Sequence, residues 1–235
     1  MSEQQSRQNT TFPITGGQAH GYLAVPASGS GPGVLVIQEW WGLTDHIADV
    51  TDRLAAAGFV ALAPDLYGGR TTHDADEAGS MMMSLPVDQA AKDLGGAVDF
   101  LLAHDAVTSS TVGAVGFCMG GGMALAAAGT WPDRFAAVAS FHGGNLATDA
   151  PASPHRLAPQ LQAEVHIAAA ADDATYPPAM AKQLETALAD AGVTFTTATH
   201  PAAHGWMMPD FPVYDAAEAE RGWAALLALF GRALG

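Results

Sequence analysis

The feature of the sequence that most constrains the fold is a regular alternation of short apolar runs with longer amphipathic segments. The run GVLVIQ at 33–38 is continuous and rich in β-branched residues, which is typical of a strand buried on both faces. Residues 45–57 have the apolar spacing of a helix, with Asp45 placed to cap its start and Gly58 to end it. The apolar run FVALAPDL at 59–66 then predicts a second strand.

The same alternation continues to the end of the chain. Further strands are predicted at 111–117, 135–143, 165–171 and 193–199, and further helices at 87–104, 120–129, 177–191 and 215–231. This order favours one doubly wound, mostly parallel α/β sheet with helices on both faces and right-handed crossovers. Because no change in composition marks a domain boundary, we predict a flexible tail at 1–12 and one domain at 13–235.

Two stretches are less regular. Residues 13–26 carry only a weak strand-like pattern and lead into the turn-rich segment PASGSGPG. Residues 70–86 contain three consecutive methionines at 81–83. This segment is equally compatible with a loop over the functional site and with a short helix that fills the core with methionine.

Composition and charge limit the possible partners. The net charge is −15, from 24 acidic and 9 basic residues, so a basic patch for nucleic acid or anionic membranes is not expected. The N-terminus is polar and no apolar run reaches the roughly 18 residues of a membrane span, which favours a soluble, cytoplasmic protein. One cysteine excludes an internal disulfide and a multi-thiolate zinc site. We expect a monomer or weak dimer that needs no metal or cofactor.

The strongest motif is GFCMG at 116–120, which fits the pattern G-x-nucleophile-x-G. It lies between a predicted strand and a helix of small residues, as that pattern requires. Gly116 and Gly120 remove side chains that would collide where strand and helix meet, and the turn holds the sulfur over a helix N-terminus that favours an anion. A lone cysteine is usually an inert core thiol, but this context predicts that Cys118 is a nucleophile.

A thiol nucleophile needs a base, and in this kind of fold the base is a histidine near the end of the chain. His204 lies in HPAAHGW, after the last predicted strand, and is the predicted base. His200 is nearer the strand end and is the alternative. His166 lies within a strand and is expected to pack in the core, whereas His142 follows a strand and could line the substrate pocket.

The orienting acid should follow the predicted strand at 165–171, where Asp172 and Asp173 are adjacent. Spacing to the turn favours Asp173, which lies four residues before Pro177. Asp172 stays open as the alternative acid, its other reading being a solvated or helix-capping carboxylate.

The segment QEWWG at 38–42 directly follows the first buried strand. A carboxylate at that strand end belongs to the active-site layer, and burial beside aromatic rings disfavours its charged form. Glu39 could therefore hold or receive a proton and keep the thiol protonated until substrate arrives. The alternative is a surface glutamate whose tryptophan neighbours pack inward. We predict the backbone N–H groups of Trp40 and Met119 as oxyanion donors.

Five segments together resemble the dienelactone hydrolase family of α/β-hydrolases, over nearly the whole chain from Gly33. They are QEWWGL (38–43), APDLYG (63–68), GFCMGG (116–121), DATYPP (173–178) and AAHGW (202–206). The resemblance implies one α/β-hydrolase domain with a triad of Cys118, His204 and Asp173, in which Glu39 handles the thiol proton. It further implies an acyl-enzyme that water hydrolyses, without a cofactor.

The substrate implied by the resemblance is a small ester or lactone, while dienelactone itself is not supported. Family members that cut dienelactone hold its carboxylate with arginines, but segment 71–86 has no arginine or lysine and the fourth position after His204 is Met208. The predicted substrate pocket is more apolar and comprises Trp41, Arg70, His142 and Trp206. The rival interpretations are a non-catalytic or thiol-redox protein on the same scaffold.

Overall fold

A computed structural model describes residues 6–235 of the chain. Its strands are β1 (Thr10–Ile14), β2 (Gly17–Ala24), β3 (Gly31–Ile37), β4 (Val60–Pro64), β5 (Val107–Phe117), β6 (Phe135–Phe141), β7 (Glu164–Asp172) and β8 (Phe195–Ala203). Its helices are α1 (Asp45–Ala56), α2 (Ala75–Ser84), α3 (Val87–Ala103), α4 (Met119–Thr130), α5 (Pro154–Leu157), α6 (Pro178–Asp190) and α7 (Ala216–Ala233). Two 3₁₀ turns, Pro132–Arg134 and Ala158–Gln160, complete the regular structure of the described part. None of these helices is both long and apolar enough to cross a membrane.

The chain divides into two compact units, Met1–Val112 and Gly113–Gly235, and strand β5 begins in the first and ends in the second. In the first unit the strands follow the order β1-β2-β4-β3 and then the start of β5. β2 pairs antiparallel with both β1 and β4, whereas β3 and β4 are parallel. Helix α1 packs on β4, and helix α3 packs on β1 and β4. Residues 34–37 of β3 have no exposed surface, as the continuous apolar run predicts.

The second unit continues with the end of β5 and then β6, β7 and β8. β7 is parallel to both of its neighbours, so His166 lies opposite Ala139 on one side and Thr196 on the other. An irregularity between Ala170 and Asp172 shifts the register of β7 against β8. Helix α4 packs on β6, and helix α7 packs on β6, β7 and β8. The predicted alternation of strands and helices in a mostly parallel sheet is thereby confirmed.

The chain departs from the prediction of a flexible tail at 1–12. Residues 10–12 belong to β1, where Phe12 is 1% exposed, and residues 1–5 lie outside the described part. Ser6 Oγ and Gln8 Nε2 both donate to Asp65 Oδ2, at 2.6 and 2.7 Å. The strand is short and has few apolar residues, so its pattern is weak, and it is held by pairing with β2 and by burial of one phenylalanine.

The segment 70–86, for which a loop and a short helix were both predicted, contains helix α2. Asp74 caps α2 by accepting a hydrogen bond from Glu77 N–H at 2.9 Å. Of the three methionines, only Met81 is buried, while Met83 is 87% exposed. The methionine run therefore contributes one side chain to the core instead of three.

Two glycines of helix α7 offer a matched test of the packing in the second unit. A Cβ atom at Gly222 would lie 2.7 Å from the Trp206 ring and 2.8 Å from the Phe141 ring, whereas one at Gly231 would meet nothing within 4 Å. We expect Gly222→Ala to lower the free energy of unfolding by about 1–3 kcal/mol through overpacking. Gly231→Ala should raise it by up to about 1 kcal/mol, because alanine favours the helix. Urea unfolding measures both, and equal effects of the two substitutions would contradict the described packing.

Candidate active site

Cys118 lies in a strained turn between β5 and α4. Its φ of 53° is in the left-handed region, which costs on the order of 1–3 kcal/mol for a residue with a side chain. The glycines around it are required by space, since a Cβ at Gly116 would overlap the carbonyl of Gly120 and one at Gly121 would overlap Ser140 Oγ. Cys118 N–H donates to Phe141 O at 3.0 Å, which fixes the turn on strand β6. The turn leaves Cys118 only partly buried.

The turn places Cys118 directly at the N-terminus of a twelve-residue helix. Met119 is the first residue of α4, and Gly121 N–H donates to Cys118 O at 3.1 Å. The first N–H groups of a helix lack acceptors within the helix and carry the positive end of its dipole. This end of α4 is therefore suited to stabilising negative charge next to the sulfur.

His204 follows strand β8 immediately, and its ring lies between a sulfur and a carboxylate. Its Nε2 is 3.1 Å from Cys118 Sγ, and its Nδ1 is 2.7 Å from Asp173 Oδ2. The backbone N–H of His204 donates to Asp172 O at 3.1 Å, so the end of β8 is tied to the end of β7. The structure thus brings together three side chains that the sequence separates by as many as 86 positions.

Asp173, and not Asp172, reaches the imidazole. Asp172 is the last residue of β7, whereas Asp173 is the first residue after the strand. The side chain of Asp173 is 1% exposed, whereas Asp172 is on the surface. The second carboxylate oxygen, Asp173 Oδ1, accepts hydrogen bonds from Thr175 N–H at 2.8 Å and from Thr175 Oγ1 at 2.6 Å.

The charges of this chain of hydrogen bonds reinforce each other. Burial disfavours a charged imidazole, but the hydrogen bonds to Asp173 and Cys118 outweigh it and raise the pKa of His204 to about 10. Burial likewise opposes the ionised form of Asp173, yet the hydrogen bonds from His204 and Thr175 hold the pKa of Asp173 below its usual value. With the sulfur ionised, the geometry therefore favours an ionised Asp173 beside a protonated His204, the state that results when the thiol proton has moved to the ring.

The two other histidines weighed for the role of base are engaged elsewhere. His200 lies within β8 and its Nδ1 is 2.8 Å from Glu218 Oε2, while Glu218 also pairs with Arg221. His166 lies within β7, with its Nδ1 2.8 Å from Thr196 Oγ1, and burial lowers the pKa of His166. Neither imidazole contacts the sulfur in the way that His204 does.

His142 and Trp206 lie behind the triad instead of on an exposed pocket wall. Both side chains are completely buried. The His142 ring is edge-on to the His204 ring, with centroids 5.2 Å apart, and His142 has a left-handed φ of 38°. Trp206 stacks on His200 at 4.2 Å and lies 6.1 Å from His142. Trp206, predicted to line the pocket, instead packs in the core beneath the imidazoles, because the loop after β8 turns inward there.

The remaining predicted site residues belong to the first unit. Glu39 is 0% exposed at the end of β3, which excludes the alternative of a surface glutamate. Trp40 and Trp41 form an edge-to-face pair with ring centroids 4.9 Å apart, and Trp41 is buried. The Arg70 side chain is 65% exposed, with NH2 3.4 Å from Glu77 Oε1.

The sequence did not predict a role for Thr175 or Glu218, although both contact residues of this arrangement. Thr175 could have been found, because an aspartate two residues before a threonine is a pattern of hydrogen-bonded turns. The pairing of Glu218 with His200 joins α7 to β8, and nothing in the local sequence indicates it. Among residues 6–235, no group of three or more histidine, cysteine or acidic side chains could hold a metal ion.

A cysteine between strand and helix, an aspartate after β7 and a histidine after β8 occupy the positions that define the α/β-hydrolase class. The model of the dienelactone hydrolase family matches residues 19–234, and the chain belongs to that family.

Relatives and solved structures agree with this placement. The chain is 39% identical over 142 residues to Protein usf of Aquifex pyrophilus, a match that covers 58% of this chain and 61% of that protein. It is 31% identical to a Synechocystis protein, provisionally named a carboxymethylenebutenolidase, over 94% of both chains. A dienelactone hydrolase-like promiscuous phosphotriesterase from metagenomic libraries has a similar structure, with a TM-score of 0.84, 28% identity and full coverage of both chains.

The raised pKa of His204 gives a direct test of the site. In the wild type the ring paired with the thiolate should keep its proton until about pH 10, far above its ordinary pKa of 6.5. Asp173→Asn removes the anion that favours the imidazolium, so the ring should lose its proton at a clearly lower pH. Histidine ring NMR titration measures this, with Asp172→Asn as the matched control that should leave the midpoint unchanged. A midpoint near 10 in the Asp173→Asn protein would contradict the assigned contact.

Proposed function

We propose that this protein hydrolyses small esters or lactones through a covalent acyl-enzyme on Cys118. The observation that carries the proposal is the hydrogen-bonded series from Cys118 Sγ through His204 to Asp173, with links of 3.1 and 2.7 Å. This is the arrangement of a nucleophile, a base and an orienter of the base. The activities of the relatives do not transfer by name alone, because the match with Protein usf spans 61% of that protein.

In the first half of the reaction, His204 takes the thiol proton and the sulfur attacks the carbonyl carbon. The carbonyl π electrons move to oxygen, giving a tetrahedral oxyanion. The backbone N–H of Met119 at the start of α4 is one donor for that charge, and we assign the N–H of Trp40 as the second. The oxyanion then re-forms the carbonyl, the bond to the leaving oxygen breaks, and that oxygen receives the proton from His204.

The raised pKa of His204 suits it to both transfers. While the sulfur is an anion, its charge and that of Asp173 hold the proton on the ring. Once the sulfur is acylated, its negative charge is gone and only Asp173 still favours the imidazolium. The ring therefore becomes a stronger acid at the stage where the leaving alkoxide needs a proton. Neutral His204 then accepts a proton from water as the water oxygen attacks the thioester carbon. The carbon–sulfur bond breaks, the carboxylic acid is released, and the leaving sulfur takes the proton back from His204.

We assign Glu39 a role in holding the thiol proton before substrate binds. Its complete burial at the end of β3 supports this role, because burial disfavours the charged form of a carboxyl group. The protein would then expose a reactive thiolate only when a substrate displaces this arrangement. Such gating would protect the only cysteine of the chain from adventitious oxidation.

The charge distribution favours uncharged substrates. The net charge of −15 repels anions over long range. Three arginines of the second unit are committed to ion pairs with acidic residues, namely Arg156 with Asp149, Arg221 with Glu218 and Arg232 with Glu164. We therefore propose neutral aryl esters and unsubstituted lactones as substrates, in preference to lactones that carry a carboxylate.

A second substrate class is suggested by one of the structural neighbours. The similarity to the promiscuous phosphotriesterase extends over the full length of both chains. A thiolate that attacks a carbonyl carbon could also attack the phosphorus of a neutral triester with an aryl leaving group. Paraoxon hydrolysis, measured beside p-nitrophenyl acetate hydrolysis, separates the two activities.

Replacement of the proposed nucleophile is the decisive test of the function. We expect Cys118→Ala to reduce turnover of p-nitrophenyl acetate by a factor of roughly 10³ or more, because no covalent intermediate can form. Asp172→Asn is the matched control and should retain wild-type turnover, because this exposed side chain does not contact His204. Ester hydrolysis that persists in folded Cys118→Ala protein would refute the proposal, and mass spectrometry of wild type should detect the acyl-Cys118 adduct.

A separate test addresses Glu39. We expect Glu39→Gln to change the rate of alkylation of Cys118 by iodoacetamide at neutral pH by roughly tenfold and to alter its pH dependence, because the amide cannot exchange a proton with the thiol. Glu77→Gln is the control, since the Glu77 side chain is half exposed and pairs with Arg70. Identical alkylation profiles for Glu39→Gln and wild type would remove Glu39 from the mechanism.

A further inference from the structure

We propose that Thr175 is a positioning residue that locks the orienting carboxylate of Asp173 toward His204; this inference rests on the proposed function. The two oxygens of Asp173 have different partners. Oδ2 accepts from His204 Nδ1 at 2.7 Å, and Oδ1 accepts from the backbone N–H and the hydroxyl of Thr175 at 2.8 and 2.6 Å. Three donors thus fix the plane of one carboxylate.

Asp173 needs such a lock because of its position. It follows the register irregularity at the end of β7, so the sheet itself no longer dictates its direction. Rotation of an aspartate carboxylate about its last torsion meets only a broad, shallow preference. With both donors of Thr175 on Oδ1, rotation would break two hydrogen bonds before Oδ2 could leave the imidazole.

Thr175 is in turn held by the loop that follows β6. Asn145, which has a left-handed φ of 55°, donates its N–H to Thr175 O at 2.8 Å. The absence of a side chain at Gly144 makes room for the threonine, since a Cβ there would overlap Thr175 Oγ1. Tyr176 N–H donates to Asp173 O at 3.3 Å and closes the turn on itself. The position of Thr175 is therefore set by two loops and not by its own strand.

The hydroxyl contributes more than a second donor. Thr175 Oγ1 also lies 3.5 Å from His204 Nδ1, at the outer limit of a hydrogen bond. The hydroxyl of Thr175 can donate to Asp173 while its oxygen faces the imidazole N–H. It therefore restricts movement of the His204 ring on the side away from the sulfur. Serine could replace this function, whereas valine has the same shape as threonine and no polar group.

Thr175 acts through Asp173 and does not contact the sulfur, so its loss should affect the chemical step and not substrate binding. We expect Thr175→Val to lower kcat for p-nitrophenyl acetate roughly ten- to hundredfold, the size expected for loss of a hydrogen bond to a charged group. KM should change less than about twofold. Thr175→Ser should recover most of the lost kcat. Gly144→Ala, which would displace the threonine side chain, should reproduce the loss.

A matched control is present in the same unit. Thr196 is an exposed threonine whose hydroxyl also contacts a histidine, His166, at 2.8 Å. Thr196→Val removes a comparable contact away from the triad and should leave kcat unchanged. NMR titration provides the readout that a purely structural role would not move. In Thr175→Val the pKa of His204 should fall below its wild-type value, because the carboxylate is free to turn away.

The experiments distinguish failure of the positioning role of Thr175 from failure of the proposed function. Wild-type kcat in folded Thr175→Val, or an effect on KM alone, would overturn the positioning role. An equal loss in Thr175→Val and Thr175→Ser would overturn it as well, since the hydroxyl would then be irrelevant. If Cys118→Ala abolishes turnover and Thr175→Val does not, the positioning role fails alone. If Cys118→Ala remains active, the proposed function fails first, and the titration of His204 still decides whether Thr175 holds Asp173.

Discussion

The imidazole of His204 is held from two sides, by a sulfur at 3.1 Å and by a carboxylate at 2.7 Å, and the architecture of the second unit serves this placement. Each partner comes from the carboxyl end of a strand or directly after it: Cys118 after β5, Asp173 after β7 and His204 after β8. Parallel strands end at the same edge of a sheet, so residues far apart in sequence meet there. A shift of any of these strand ends by one residue would move its side chain by about 3.3 Å, which is more than a hydrogen bond tolerates.

This placement requires unfavourable backbone conformations. In the described part of the chain, three residues other than glycine have a left-handed φ, namely Cys118, His142 and Asn145. All three lie in the second unit, in or directly behind the triad or in the loop that holds Thr175. Strain of this kind persists only where the surroundings determine the conformation. Here the surroundings are parallel strands, the close contact of Gly116 with Gly120, and a core of aromatic rings around Trp206.

The buried pair of His200 and Glu218 shows why the elements of the fold could be predicted from the sequence more fully than the contacts around the site. The apolar spacing of each segment predicted β8 and α7, since the spacing that is typical of a strand or a helix lies within the element itself. Position alone left His200 open as a base, because it lies four residues from His204 in the same segment. The hydrogen bond between His200 and Glu218 joins strand β8 to helix α7, and the sequence of neither element predicts it. The short strand β1 was missed for a related reason, as its stability comes from pairing with β2.

The sequence by itself determined the class of fold, the glycine-flanked turn at Cys118 and the resemblance to the dienelactone hydrolase family, because periodicity, steric requirements and residue identity are local properties. It also limited the candidates for the orienting acid to two neighbouring aspartates, and it favoured His204 over His200 as the candidate base. Only the tertiary structure decided which aspartate reaches the imidazole, since the contact joins the loop after β7 to the end of β8, where Asp173 Oδ2 lies 2.7 Å from His204 Nδ1. It likewise placed Trp206 in the core and Thr175 on Asp173, because such contacts depend on where distant loops meet in space.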